Sequence, residues 1–310
     1  MRVAVIGCGH VGATSAYLLA LKGIPVTMVD IVEGFPQGTA LDMLESSPLL
    51  GVEADLKGTN DFSEIAGSDL VVVTAGEARK PGMSRADLLA KNSSIVTSVI
   101  GEIIKHAPSA MILMVTNPLD TMTYLALRTS KLSSTRVFGM GGALDSSRMS
   151  YFVASALGAP TKEVSALVIG SHADSMVPLP RFTMVKGIPL TDVMKPEDVS
   201  QIVKRTRGAG AEIVTYLKTG SAFYAPAAAV AEIVEGVLRD EKKVFSTCVS
   251  LNGEYGLRDI CINVTARLGA QGVEEVLEIE LNDEEKQALQ RSAEEVREGI
   301  RKLRTLYPDL

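Results

Sequence analysis

The 310-residue sequence predicts an α/β fold, a doubly wound parallel sheet followed by a mixed α+β second half. Three observations carry that prediction. Short β-branched runs alternate with helix-length segments through the first half. Those runs are almost continuously apolar, as strands covered on both faces must be. After about Gly142 the rhythm changes to turn-separated strands and long helices.

Along the chain, Val3–Ile6, Val26–Val29, Leu70–Thr74 and Met111–Val115 read as strands, with Gly12–Leu21 and Ser94–Ile104 among the helical segments between them. Ser165–Ile169 reads as a further strand, and Phe182–Leu190 as a hairpin with Lys-Gly-Ile-Pro at its middle. Val244–Leu251 and Cys261–Leu268 form a second strand pair around the turn-rich Asn252–Arg258. Val199–Leu217 and Pro226–Leu238 read as helices, as does a last segment that Asn282 can cap, where Leu289, Ala293, Val296, Ile300 and Leu303 step by three or four. No linker, repeat or low-complexity tract interrupts the chain. The expected division, 1–143 and 144–310, is therefore a change of architecture and not a flexible joint.

Lys plus Arg number 31 against 37 Asp plus Glu, a balance of −6, so neither nucleic acid nor a membrane surface is expected as a partner. An anionic ligand must be met by locally placed cations. Cys8, Cys248 and Cys261 are odd in number and lack a C-x-x-C pair, so no disulfide framework and no metal site are expected, and a reducing, cytoplasmic setting is the default. The N-terminus carries no signal-peptide pattern and no apolar run reaches membrane-spanning length, which reads as soluble and untargeted.

Gly7-Cys8-Gly9-His10-Val11-Gly12 has G-x-G-x-x-G spacing between a strand and a helix. The first glycine suits a tight turn, the second a close approach of backbone to pyrophosphate, the third helix–strand packing. The same letters also suit an ordinary glycine-rich turn. Asp30 ends the second strand, eighteen residues after Gly12, where a carboxylate can accept from both ribose hydroxyls. Its charge opposes a 2′-phosphate and Ile31-Val32 supply no cation, so NAD is favoured over NADP.

Of the three histidines, His10 lies in the glycine turn and reads as packed or solvated, and His106 as a solvated helix end before Pro108. His172 follows an apolar strand within Gly170-Ser171-His172-Ala173-Asp174, at the edge where open α/β sheets bind ligands. A packed histidine is its alternative. Asp145 and Arg148 stand at i and i+3 of a helix, as a local ion pair or as site residues. Asn117 precedes Pro118 at a strand end, in a turn or at the ligand edge. The loop Gly76–Arg85, with cations Arg79, Lys80 and Arg85, reads either as a solvated surface loop or as a lid over an anion.

Taken together, GCGHVG, the strand-end Asp30, ARKPGMSR, VTNPLD, LDSSR, IGSHADSMVPLPR and KTGSAFYAPAAA resemble, in order and spacing, the lactate/malate dehydrogenase superfamily. Within it the chain is most similar to the prokaryotic malate dehydrogenases of lactate-dehydrogenase-like type. The resemblance implies a Rossmann domain, a substrate domain of α+β type, NAD as cofactor, and interconversion of malate and oxaloacetate as a step of the tricarboxylic acid cycle. It implies that His172 is the acid/base, Asp145 its partner, and Arg148 the clamp on the substrate carboxylate. Arg85 would polarise the carbonyl, Asn117 would bond the substrate oxygen through a peptide that is often cis, and Arg79 would select a dicarboxylate. Gly7 to Gly12, Asp30, Asn92, Val115, Thr116 and Asn117 are implied to contact the cofactor. A homodimer or homotetramer is implied as well. Ser171, Ala173 and Glu77 depart from the family pattern, Glu77 by adding a negative charge near an anion site. The alternatives are a lactate dehydrogenase on the same scaffold and an NAD-binding regulatory protein without catalysis.

Overall fold

The computed structural model describes residues 1–77, 84–308 and 310, the side chain of Arg85 excepted. The first half runs β1 (Val3–Ile6), α1 (His10–Leu21), β2 (Val26–Val29), α2 (Phe35–Glu45), α3 (Ser47–Leu50), β3 (Leu56–Thr59), β4 (Leu70–Val73), α4 (Arg85–His106), β5 (Met111–Met114), α5 (Leu119–Ser130) and β6 (Val137–Gly139). The second half begins with α6 (Gly142–Leu157), β7 (Val164–Ser165), β8 (Val168–Ile169), β9 (Val177–Pro178), β10 (Met184–Val185), β11 (Ile188–Pro189) and α7 (Leu190–Val193). It ends with α8 (Pro196–Leu217), α9 (Tyr224–Leu238), β12 (Lys243–Asn252), β13 (Arg258–Gly269), β14 (Gly272–Val276) and α10 (Asp283–Leu306).

Strands β3-β2-β1-β4-β5-β6 lie side by side, all parallel. Chain order reverses between β1 and β4, which opens a crevice at their C-terminal ends. Every residue of β1, β2, β4 and β5 is buried, as their apolar runs, broken only by Thr27, require. β3 carries no such signal: it is the polar Leu-Lys-Gly-Thr at the sheet edge, and a Cβ on Gly58 would lie 1.9 Å from the Pro36 carbonyl oxygen of α2.

The long hairpin of the second half joins the first-half sheet. β12 pairs antiparallel with β6 through Cys248 and Gly139, and β13 and β14 follow, giving one nine-stranded sheet. The altered rhythm after Gly142 thus marks a switch from parallel to antiparallel pairing inside that sheet. One apolar core runs beneath both halves, and a smaller cluster including Met149, Val153, Val168 and Ile202 lies between α6, α8 and the short strands.

The expected single strand Ser165–Ile169 is two strands in two small sheets, β7 beside β10 and β8 beside β9. Helix α6 causes the break: Ser150 Oγ accepts from the Ala166 N–H at 3.0 Å and Ser146 Oγ from the Val168 N–H at 2.9 Å. The expected hairpin within Phe182–Leu190 is present as β10 and β11. No helix among the described residues is long and apolar enough to cross a membrane.

At α10 the expected cap is a reciprocal pair: Asn282 Oδ1 accepts from the Glu285 N–H at 2.9 Å, and Glu285 accepts from the Asn282 N–H at 2.9 Å. Asn282→Ala should lower stability by about 1 kcal/mol. The check is a urea titration, which should show a lower midpoint at unchanged slope; an unchanged midpoint would show that the cap contributes nothing.

Candidate active site

The glycine turn lies in the crevice between β1 and β4. Gly7 has φ +97°, and a Cβ there would come within 2.7 Å of the Ala75 nitrogen. A Cβ on Gly12 would sit 1.9 Å from the Gly7 carbonyl oxygen, whereas nothing lies within 4 Å of one on Gly9. Gly7 and Gly12 are therefore required by packing, and Gly9 presents bare backbone to open space. Gly9 gives α1 no side-chain cap, and the first bond into the helix runs from the Ala13 N–H to the Gly9 carbonyl at 2.9 Å, so the N–H groups of His10, Val11 and Gly12 point onward to an anion.

At the end of β2 the Asp30 carboxylate accepts from the Cys8 N–H at 2.7 Å and the Val32 N–H at 3.0 Å. Each oxygen keeps a lone pair for a ribose hydroxyl. Burial, then the negative Asp30, push the Cys8 thiol up to about 12, so Cys8 is a neutral packing group. His10 is exposed and stacks on Phe223, ring centroids 5.0 Å apart. Bare backbone, open helix terminus and carboxylate together fit a dinucleotide.

Across the crevice, the segments leaving β4 and β5 are braced together. Asn92 of α4, fully buried, accepts from the Glu77 N–H at 2.8 Å and donates to the carbonyls of Glu77 at 3.1 Å and Asn117 at 2.7 Å. Toward a cofactor Asn92 would act through the segments it holds. Val115 continues the ladder to Val73, and Thr116 Oγ1 donates to the Ala75 carbonyl at 2.7 Å. The Asn117–Pro118 peptide is cis. Asn117 Oδ1 accepts from the Leu119 N–H at 3.2 Å, and the residue is exposed. Glu77 pairs with Lys91 at 2.7 Å, which offsets the charge that sets it apart from the family pattern. Arg79 and the side chain of Arg85 lie outside the described residues.

His172, Asp145 and Arg148 are brought together. His172 Nδ1 is 2.7 Å from Asp145 Oδ2, and Arg148 Nη1 is 3.2 Å from Asp145 Oδ1. A carboxylate only accepts, so Nδ1 carries the proton toward Asp145 and Nε2 is the atom left for chemistry. Burial acts to lower the His172 pKa, but the Asp145 charge and hydrogen bond, with Asp120 behind them, raise it above its ordinary 6.5. The Arg148 guanidinium is held by Asp145 through Nη1 while its buried Nε makes no hydrogen bond among the described residues. The remaining histidine, His106, closes α4 beside Glu102, as its sequence position predicts.

Two family models match the chain: the lactate/malate dehydrogenase NAD binding domain over residues 1–139 and the lactate/malate dehydrogenase alpha/beta C-terminal domain over residues 142–306. The chain belongs to the lactate/malate dehydrogenase family. The malate dehydrogenase of Methanosarcina acetivorans is 47% identical over 97% of this chain and 99% of its own length. The solved malate dehydrogenase of Salinibacter ruber superposes with TM-score 0.95 at 45% identity, covering 100% of this chain and 99% of that one. The lactate dehydrogenase of Eimeria maxima, solved with NADH and oxamate, gives TM-score 0.95 at 35% identity over 98% of this chain and 94% of that one.

Sequence reasoning did not find the groups behind this family site. Asp120 accepts from the His172 N–H at 2.8 Å, and Asn263 Oδ1 accepts from the Gly142 N–H at 2.7 Å. The signals were present: an acid three residues after Asn117, and a lone amide inside the apolar run Cys261–Leu268.

The raised His172 pKa means that the imidazolium persists to higher pH than a free histidine would allow. An NMR titration of the ring should give a value above 6.5, and Asp145→Asn should bring it down, because the desolvation that remains favours the neutral form. A titration unchanged by Asp145→Asn would remove Asp145 as the cause.

Proposed function

We propose that the chain is an NAD-dependent malate dehydrogenase, interconverting (S)-malate and oxaloacetate, with His172 as the acid/base. The observation that carries this reading is the pairing of a half-buried His172 with the buried Asp145, 2.7 Å apart, beside an Arg148 whose buried Nε has no acceptor among the described residues. A regulatory protein would need no proton carrier beside an anion clamp.

The cofactor, when bound, supplies or accepts the hydride. In reduction His172 Nε2 donates its proton to the keto oxygen while Asp145 stabilises the imidazolium and fixes the ring; in oxidation Nε2 takes the hydroxyl proton. Arg148 holds the carboxylate next to the reacting carbon, and the Asn117 amide donates to the same oxygen that His172 serves. Arg85 would add positive charge at that oxygen. Asp30 favours NAD by accepting from the ribose diol and repelling a 2′-phosphate. Gly7, Cys8, Gly9, His10, Val11 and Gly12 line the pyrophosphate side, with Asn92, Val115, Thr116 and Asn117 opposite. In this division of labour 1–143 serve the cofactor and 144–310 the substrate. We place the enzyme in the cytoplasm, in the tricarboxylic acid cycle, as a homodimer or homotetramer without nucleic-acid or membrane partners.

Arg79 separates this reading from a lactate dehydrogenase. Over oxaloacetate it would meet the second carboxylate; over pyruvate it would face a methyl group, and stranding a buried charge costs about 3–5 kcal/mol. Oxaloacetate should therefore exceed pyruvate in kcat/KM on the order of a thousandfold. Following NADH absorbance with both keto acids tests this, and Arg79→Gln should shrink the ratio; a ratio that the substitution leaves alone would assign specificity elsewhere. In the same assay His172→Asn should reduce kcat by at least ~100-fold with NADH binding retained. Near-normal turnover of that variant would route the proton through another group.

A further inference from the structure

Asp120 and Asn263 are polar groups behind His172 that the mechanism leaves unused. Both are buried, 6% and 1% exposed, on α5 and β13 respectively. One Asp120 oxygen accepts from the His172 N–H at 2.8 Å, and the other accepts from Asn263 Nδ2 at 3.0 Å. The same Nδ2 donates to the Gly170 carbonyl at 3.0 Å, and Asn263 Oδ1 accepts from the Gly142 N–H at 2.7 Å. The main chains of Asn263 and Gly170 exchange two further bonds, 2.8 and 3.1 Å long. Every side-chain polar atom of the pair is thus spent on fixing three segments to one another: α5, the turn bearing His172, and the first turn of α6, which bears Asp145. No slack surrounds them. A Cβ on Gly141 would lie 2.8 Å from Asn263 Oδ1 and 3.1 Å from the His172 Cβ, and one on Gly142 would lie 2.0 Å from Ser246 Oγ.

We propose that Asp120 and Asn263 are positioning residues that hold the His172 main chain and the start of α6 at the separation that proton transfer requires. This rests on the malate dehydrogenase reading and adds to it a second tier behind the His172–Asp145 couple. A carboxylate is a costly choice for a purely structural acceptor at a buried site, because burial opposes its charge. Burial does push Asp120 up to about 6, against the hydrogen bond and charge of His172, which pull it down. Asp120 in turn helps to keep His172 protonated. The charged groups facing His172 are Asp145 and Arg148 of α6 and Asp120 of α5; those facing Asp120 are His172 and the thiols of Cys248 on β12 and Cys261 on β13. Burial lifts both thiol pKa values above the ordinary range, so neither thiol adds charge at neutral pH.

Two substitutions separate holding from charge. In Asp120→Asn the amide oxygen can still accept from the His172 N–H, but its nitrogen then opposes Asn263 Nδ2, and no flip of either amide satisfies every partner. Asn263→Ser keeps the Asp120 charge and releases Gly142. The full-length protein and both variants are assayed with NADH and oxaloacetate across pH, with NADH dissociation constants measured in parallel. Both variants should lose on the order of 10- to 100-fold in kcat with NADH binding unchanged. The alkaline limb of kcat/KM should move to lower pH in Asp120→Asn and stay in place in Asn263→Ser. Folded variants with kcat within about twofold of the parent and unmoved limbs, even at reduced thermal stability, would overturn the proposal. If Asp120→Asn does not fold, Asn263→Ser decides alone by the loss or retention of kcat. A parent protein that fails to reduce oxaloacetate would instead defeat the functional reading on which this rests.

Discussion

The pairing of β12 with β6 is the constraint on which the rest of the molecule depends. A parallel sheet that ended at β6 would leave an edge strand of three residues exposed. Cys248 closes on Gly139 instead, where a Cβ would meet Thr123 Oγ1 at 2.5 Å and the Cys248 Cβ at 3.1 Å, and Thr247 Oγ1 donates to the Gly139 carbonyl at 2.7 Å. The antiparallel strands so attached provide the wall on which α6 begins. Asp145 and Arg148 stand on that helix, and Ser246 of β12 donates to the Val168 carbonyl at 2.5 Å, four residues before His172. The crevice for the nucleotide and the wall for the proton carrier are consequently parts of one hydrogen-bonded surface.

Charge is distributed with the same economy. The chain is acidic, at −6, yet the cluster around His172 carries an imidazole with a raised pKa and a half-satisfied guanidinium. Two buried carboxylates hold His172 from different helices, Asp145 at the ring Nδ1 and Asp120 at the main-chain N–H. The cluster thus sets two cationic groups against two carboxylates, each held by hydrogen bonds to its neighbours.

What was legible in the sequence follows from how each element is buried. β1, β2, β4 and β5 announce themselves because both of their faces are covered, and α10 because only one of its faces is. In α5 the sequence misleads about burial: Leu119 to Ala126 are all buried, the polar Asp120, Thr121 and Thr123 among them, so polarity does not mark an outer face. β3 and β6 were silent because one is polar and the other short. His172, Asp145 and Arg148 could be read because few other residue types suit their chemistry. Asp120 and Asn263 could not, since their meaning lies in a meeting of α5 with β13 that local spacing does not encode.

The serines of α6 make the helix a ruler. Ser146 and Ser150 stand one turn apart, and their hydroxyls seize the N–H groups of Val168 and Ala166 while Asp145, beside Ser146, reaches His172. The carboxylate and the segment that leads to the imidazole are thereby both referred to the repeat of one helix, about 1.5 Å per residue and 5.4 Å per turn. Every residue from Val168 to His172 is counted from that anchor.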